Sequence, residues 1–387
     1  MVKRIFKDGG IEKLSYSYVP HRLPHREDYV KKLVEYFHIA FRNPGVLSRK
    51  IILAGESGTG KTVTAKRVGA ILERVAEKYK IQLTCVHLNC RMTSGMFSLV
   101  QALVRRTAPE LPLRGYGSDE LLRSLWDYLN HKDRYLLLIL DEIDYFIRST
   151  GEDIVYSLTR LTESIQNIPQ RIHLIFIARD HSFQDLFDPS TLSTSARTTI
   201  EFPLYEEYEI RDILRDRIDE AFRENTISSE VLDFVVRNVC EYGHGDARYA
   251  LELLTMAGLV AERENSSMVM PDAVREAQSW VDPKVREEEI DALSHTKKYV
   301  LLAVIRELKK EKESVYVSID KVHHMYKAIS EEYGFEPVGE VSFQGFVRSL
   351  GDAMIVNIMG GDVDEVGLPG IQVDILERVL VDRLRKS

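Results

Sequence analysis

The residues of this chain whose types and spacing suit them to chemistry begin with Gly55-Glu56-Ser57-Gly58-Thr59-Gly60-Lys61-Thr62. They follow the apolar run Ile51-Ile52-Leu53-Ala54 and precede a helical stretch from Val63 to Tyr79. In the pattern G-x-x-x-x-G-K-T, glycines let backbone N–H groups turn inward around phosphate oxygens, and the following helix offers the positive end of its dipole. Such a loop uses its lysine, here Lys61, on the β- and γ-phosphates and its hydroxyl, here Thr62, on magnesium. A Gly-rich turn with an incidental lysine would share the pattern, but not the strand before it and the helix after it.

A second candidate is Tyr135-Leu136-Leu137-Leu138-Ile139-Leu140-Asp141-Glu142. Six apolar residues ending in two carboxylates suit a strand buried on both faces that delivers acids at its C-terminal edge. Ligands of doubly wound sheets bind at that edge. Asp141 would hold magnesium through water, as Thr62 would, and Glu142 would polarise a water attacking a γ-phosphate. A helix capped by Asp141 is the structural alternative, and it leaves the upstream loop unexplained.

Elements must position these groups. Ile51–Ala54, Leu83–Leu88, Tyr135–Leu140, His173–Ala178 and Ile200–Phe202 read as five strands separated by helical patterns, which predicts a parallel sheet between helices. The stretch from Met96 to Arg106 is an amphipathic helix, and Leu33, Phe37, Ala40 and Phe41 share one face of another. From Glu206 to Trp280 the pattern is helical throughout. After the charged run Glu287-Glu288-Glu289-Ile290-Asp291, helices are expected at Lys298–Leu308, Ser318–Tyr333 and Phe343–Leu350. Two β-prone runs, Met354–Met359 and Gly370–Ile375, flank the Gly-rich 360–367. Three helices and a hairpin describe a winged helix. The expected domains are 1–204, an α/β base; 205–284, a helical lid; and 285–387, the winged helix.

At 387 residues, with 44% hydrophobic and 29% charged residues, the chain suits two or three soluble domains. No apolar run approaches the roughly 18 residues of a membrane span, and Met1-Val2-Lys3-Arg4 lacks a signal-peptide core, so a cytoplasmic location with no membrane partner is expected. Cys85, Cys90 and Cys240 form neither a disulfide framework nor a zinc pattern, and the histidines show no metal-ligand spacing. The net charge is −8, and residues 287–387 alone hold 19 Asp or Glu against 13 Lys or Arg.

With these pieces placed, the chain resembles the AAA+ replication initiators of archaea, the origin-recognition (Orc-type) family, over nearly its full length. The family's α/β AAA+ P-loop ATPase fold, with helical lid and C-terminal winged-helix domain, is therefore expected. Tyr18-Val19-Pro20 and Leu23-Pro24-His25-Arg26-Glu27 look like its adenine-pocket segment. Gly55–Thr62 resembles Walker A, Leu140–Asp144 Walker B, and Gly245-Asp246-Ala247-Arg248 sensor 2. The resemblance implies contacts to ATP or ADP from Val19, Pro20 and Arg26, from Glu56, Ser57, Gly58, Thr59, Gly60, Lys61, Thr62 and Val63, and from Asp141 and Arg248. It places a DNA-contacting helical insertion between Asn89 and about Gly117, with Arg91, Arg105 and Arg106 as its cations, although a solvated helix face explains those arginines equally well.

Three departures bear on mechanism. The family's sensor-1 Ser-Asn-Asp is replaced by Ala178-Arg179-Asp180, a cation in place of a water-orienting amide. Arg197 is the nearby candidate for an arginine finger and lies out of register. The wing Gly361-Asp362-Val363-Asp364-Glu365 is acidic, which phosphates repel. Gln344 and Arg348 remain to read base edges, and Lys321 and Lys327 to touch backbone. The resemblance thus implies a nucleotide switch on duplex origin DNA with slow hydrolysis at most. Its partners would be other initiator paralogues and a replicative helicase. The alternative is an AAA+ regulator or helicase-loading factor working through protein contacts. A vigorous ring-forming remodelling ATPase fits Arg179 and the displaced Arg197 poorly.

Overall fold

Apolar runs without polar alternation need cover on both faces, and in the sheet of this protein they occupy the inner positions. The computed structural model describes residues 4–93, 95–151, 154, 157–158, 169–179, 198–281, 290, 293–311, 314–352, 355–359, 365–368 and 373–385. Its chain divides into two units, Ser17–Tyr205 and Met1–Tyr16 with Glu206–Ser387.

In the first unit the strands are β1 (Lys50–Ala54), β2 (Gln82–Asn89), β3 (Arg134–Asp141), β4 (Ile172–Ala178) and β5 (Thr199–Glu201). They lie parallel in the order β2-β3-β4-β1-β5. The mainly apolar β1, β3 and β4, nearly all of whose residues are buried, are interior, whereas β2, with its mixed Gln82-Leu83-Thr84-Cys85, takes an edge. Side chains alternate across the sheet with a period of two. Ile51, Leu53, Leu137, Ile139 and Ile175 meet Leu33, Phe37 and Phe41 of α2 (Glu27–Arg42) and Val68 and Leu72 of α3 (Lys61–Lys78). On the other face Ile52, Leu136, Leu138, Leu140 and Phe176 pack with Leu99 and Leu103 of α4 (Met96–Thr107) and Leu121 and Leu125 of α5 (Ser118–His131). The strand register pairs Ala54 with Ala178 and Asn89 with Asp141, so the loops after β1, β3 and β4 emerge at one edge.

In the second unit, residues 4–16, including the short α1 (Gly10–Leu14), pack with the lid rather than with the base to which the expected boundary assigned them. The reason is local. Phe6 packs against Phe222 with ring centroids 4.7 Å apart, Lys7 N–H donates to the Ala221 carbonyl, and Ile5 N–H donates to Glu262 at 2.8 Å. The lid helices are α7 (Glu207–Ala221), α8 (Ser229–Gly243), α9 (Ala247–Arg263) and α10 (Pro271–Val281). Ser228 caps α8 through Val231 N–H, and Asp246 caps α9 through Arg248 and Tyr249 N–H, as short polar residues do at a helix start.

The winged helix consists of α11 (His295–Lys310), β6 (Tyr316–Ser318), α12 (Ile319–Tyr333), α13 (Glu340–Asp352), β7 (Asn357–Met359), β8 (Glu365–Gly367) and α14 (Val373–Arg385), with antiparallel sheet order β6-β8-β7. Two expectations are corrected. The second wing strand is Glu365–Gly367, not Gly370–Ile375, and the first is shorter than Met354–Met359. Val373, Leu376, Leu380 and Leu384 are all buried at helical spacing, so Val373–Arg385 completes the core as a helix. Residues 369–372 lie outside the described residues, as do 360–364 of the acidic wing.

Candidate functional site

The loop between β1 and α3 adopts positive φ at Gly55 (149°), Gly58 (73°) and Gly60 (87°), backbone angles that only glycine takes without strain. Two of these glycines also face close neighbours. A Cβ on Gly55 would lie 2.3 Å from the Phe202 carbonyl oxygen, and one on Gly60 would lie 2.4 Å from the Tyr205 hydroxyl. Lys61 is buried, and its ammonium donates to the carbonyls of Gly55 and Glu56, each at 2.5 Å, and to Thr59 Oγ1 at 3.2 Å. The Thr59 hydroxyl in turn donates to the Glu56 carbonyl. The lysine and the loop backbone therefore form one hydrogen-bonded ring.

Thr62, one residue into α3, donates its hydroxyl to Asp141 Oδ2 at 2.7 Å, which joins the loop to the end of β3. Asp141 Oδ2 also lies 3.1 Å from His87 Nε2, and Oδ1 accepts the N–H of Glu142 at 3.0 Å. His87 was not among the expected site residues. It sits on β2, two positions before Asn89, which pairs with Asp141 in register, so odd positions of β2 and β3 share the face that carries the site. No local pattern announces this, because it depends on which strand lies beside β3. Glu142 has φ 55° and ψ 38°, a left-handed turn that starts α6 (Ile143–Thr150). Its Oε1 lies 3.4 Å from an Arg179 guanidinium nitrogen, while Arg179 N–H donates to Asp144. Burial and the charges of Asp141, Glu142 and Asp144 all push the nearby Cys90 thiol upward.

The segment expected to line an adenine pocket divides in two. Val19 is half-buried and Pro20 buried. Arg26 is only 2% exposed, and its guanidinium is committed to protein: Nε donates to the Thr59 carbonyl at 3.0 Å, and the two terminal nitrogens to the carbonyls of His25 at 3.1 Å and Pro203 at 2.8 Å. The Tyr205 ring lies 3.9 Å from its central carbon. Glu56 and Ser57 are on the solvent side of the loop, and Val63 is half-buried on α3.

The cations expected to meet DNA stand in unlike settings. Arg91 lies over the Tyr145 ring at 5.2 Å, Arg106 donates to the His87 carbonyl, and Arg105 is exposed at the end of α4. The helix α4 itself is buried along Leu99, Val100 and Leu103, so much of the expected insertion is a layer of the base. In the winged helix Lys321 is paired with Glu311, Lys327 and Arg348 are exposed, and Gln344 is half-buried on α13. Arg248 is exposed in the first turn of α9, in the second unit. Arg197, the finger candidate, lies outside the described residues. Among the described residues there is no group of three His, Cys, Asp or Glu that could hold a metal, and no helix long and apolar enough to cross a membrane.

A parallel five-stranded sheet with a G-x-x-x-x-G-K-T loop after β1 and an acidic pair after β3, joined to a helical lid and a winged helix, defines an AAA+ protein of the initiator type. Family comparison agrees in each part. Residues 48–187 match an AAA domain, residues 211–279 the Cdc6 AAA+ ATPase-type lid domain, and residues 288–364 the C-terminal winged helix domain of CDC6. The chain is 34% identical over 354 residues to ORC1-type DNA replication protein 2 of Saccharolobus solfataricus, covering 89% of this chain and 85% of that one. It is 32% identical over 359 residues to the ORC1-type DNA replication protein of Thermococcus onnurineus, covering 92% and 84%. Among solved structures it is similar to Cdc6p from Pyrobaculum aerophilum (27% identity, TM-score 0.83, 99% of both chains). It is also similar to the Aeropyrum pernix ORC1 protein in complex with DNA (26%, TM-score 0.65, 99% and 97%). The chain belongs to the ORC1-type (Cdc6) DNA replication protein family.

Proposed function

We propose that this chain is a replication initiator that binds ATP or ADP with magnesium and grips duplex origin DNA, the nucleotide acting as a switch and hydrolysis being slow at most. The observation that carries the nucleotide reading is the 2.7 Å bond from Thr62 Oγ1 to Asp141 Oδ2 beside the buried Lys61. A hydroxyl and a carboxylate converging at the mouth of a phosphate loop are the hard oxygen donors that magnesium takes, usually while retaining several waters. The residues thus fit the group: Thr62 and Asp141 would hold it, Lys61 and the loop N–H groups would hold phosphates, and Arg248 would serve the sensor-2 role. Bound there, magnesium would neutralise charge on the phosphate oxygens. Glu142 would orient water, and its pairing with Arg179 at 3.4 Å supports slow turnover.

The DNA reading rests on family membership and on the likeness to the ORC1–DNA complex. Arg91, Arg105, Lys327 and Arg348 are exposed and so open to it, and Gln344 is half-buried. Fluorescent-ADP titration with and without magnesium tests the first claim, and gel-shift titration against origin DNA, alone and with a second initiator paralogue, tests the other. Absence of salt-sensitive DNA binding in either condition sinks the DNA claim. The second reading, a regulator or helicase-loading factor acting through protein contacts, is favoured by the acidic balance of residues 287–387, 19 Asp or Glu against 13 Lys or Arg. Capture of a replicative helicase or a paralogue independent of DNA would decide for it.

A further inference from the structure

Arg26 ties the phosphate loop to the segment by which the chain leaves the base. Its three guanidinium nitrogens donate to backbone carbonyls in three separate stretches: His25 beside it, Thr59 in the loop, and Pro203 just past β5. The cation is 2% exposed and stacked at 3.9 Å on Tyr205, the last residue of the first unit. Two further contacts bind the same pair of segments. The Phe202 carbonyl closes over Gly55 and the Tyr205 hydroxyl over Gly60, so tightly that neither glycine has room for a Cβ. Phe202 N–H also donates to the Ala54 carbonyl at 2.8 Å, directly before the loop begins. The loop is therefore held along its length, at Gly55, Thr59 and Gly60, by Phe202–Tyr205 and by the arginine between them.

We infer that Arg26 is a positioning residue that couples the phosphate loop to the exit segment Phe202–Tyr205, so that phosphate in the loop is felt where the chain passes to the lid. The inference rests on the nucleotide reading above and specifies how that site acts beyond itself. Only arginine suits the place. A planar fork of donors can serve three carbonyls and stack on a ring at once, whereas a lysine ammonium offers one point of charge. Because Lys61 holds the Gly55 and Glu56 carbonyls and Thr59 Oγ1, the phosphate-binding cation and the carbonyl held by Arg26 belong to one network. A displacement of the loop backbone cannot stop at Thr59, since burial leaves Arg26 no water to exchange for a lost partner.

The test uses the full chain carrying spin labels at Tyr79→Cys in the base and Leu259→Cys in the lid, both exposed. The native thiols of Cys85 and Cys240 are pushed up to about 12 and about 11 by burial, so at neutral pH they label slowly. Interspin distances are measured by electron double resonance with and without saturating Mg·ADP, alongside fluorescent-ADP and fluorescent-adenosine titrations. Wild type is expected to shift its distance distribution on binding. Arg26→Lys is expected to bind ADP about tenfold more weakly, to lose less affinity for adenosine, which lacks the phosphates, and to lose most of the shift even at saturation. Tyr205→Leu, which removes both the stacked ring and the hydroxyl at Gly60, is the second variant and should reproduce the lost shift if Arg26→Lys does not fold. A full wild-type shift in the folded variants at saturation overturns the coupling. So does ADP binding by wild type with no shift, and in that case the nucleotide reading stands. Failure of wild type to bind ADP overturns both.

Discussion

Removing the Arg179 guanidinium should speed hydrolysis modestly, and the structure bounds how much. Glu142 is fixed at its backbone, with its N–H on Asp141 Oδ1 and a left-handed φ of 55°, so only its side chain can choose between Arg179 and a water. The ion pair spans 3.4 Å, with Arg179 56% and Glu142 20% exposed. At that separation an effective dielectric near 20 would give about 4 to 5 kcal/mol. Solvent screening at a pair whose arginine is more than half exposed, together with the entropy of holding a long side chain, reduces the net to about 0.5 to 1 kcal/mol. That corresponds to about a two- to fivefold gain in unpaired Glu142. Single-turnover hydrolysis of saturating Mg·ATP by Arg179→Ala should therefore be about two- to fivefold faster than wild type. Raising salt from about 50 mM to about 0.5 M should bring the wild-type rate up toward that of the variant, which stays flat. Arg179→Asn, which also supplies a neutral amide, should exceed Arg179→Ala. An Arg179→Ala rate equal to or below wild type would refute the reasoning, because the cation would then be helping the chemistry or standing apart from it.

Lys61→Ala should weaken ADP binding by at least about a hundredfold in the fluorescent titration, since a buried ammonium and its loop contacts are lost together. Glu142→Gln should bind ATP as wild type does and lose measurable phosphate release. Arg275→Met should lower unfolding free energy in urea by about 3 kcal/mol, because Arg275 is buried and donates to the Leu368 and Val315 carbonyls, which the thioether cannot satisfy. Lys327→Ala on α12, exposed and assigned to the DNA backbone, should reduce the salt slope of duplex binding by about one, measured by gel shift at several salt concentrations.

The base was largely legible because its signals are local. The strands β1, β3 and β4 each hold an unbroken apolar run, Ile51–Ala54, Tyr135–Leu140 and Leu174–Ala178, and the loop motif depends on eight consecutive residues. What escaped depends on contacts distant in sequence or on very short elements. His87 meets Asp141 only because β2 is one of the two strands that pair with β3, in a register that sets Asn89 against Asp141. Arg26 belongs to a motif that suggested an adenine contact, and its burial against Thr59 and Pro203 could not be read without the tertiary fold. The strand Tyr316–Ser318 is three residues long, too short for a period to register. The last helix was misread because Gly370-Ile371-Gln372-Val373-Asp374-Ile375 alternates like a strand over six residues, while its helical period appears only when Leu376, Leu380 and Leu384 are included.

Within the second unit, the wing strands are committed to the lid, and this bears on how the winged helix can meet DNA. Tyr242 on α8 donates to Asn357 on β7 at 2.7 Å, and Arg237, earlier on the same helix, lies over the ring of Tyr316 on β6 at 5.3 Å. The Phe234 ring meets Tyr316 at 6.3 Å, and Arg275 on α10 stacks on Phe234 while donating to carbonyls that flank β6 and β8. Burial opposes the charge of Arg275 and Asp272 supports it, so this cation depends on the junction staying closed. Loosening the winged helix from the lid would open two ring contacts at Tyr316 and the Tyr242–Asn357 hydrogen bond and strand a buried guanidinium, which costs more than a hinge of few contacts. The helix α13, proposed above to meet DNA and with Arg348 exposed, is therefore carried by the lid, and a reorientation of the lid must reorient α13 with it. Affinity for DNA in this protein should accordingly depend on lid position at least as much as on the count of basic residues, which the acidic balance of residues 287–387 keeps low.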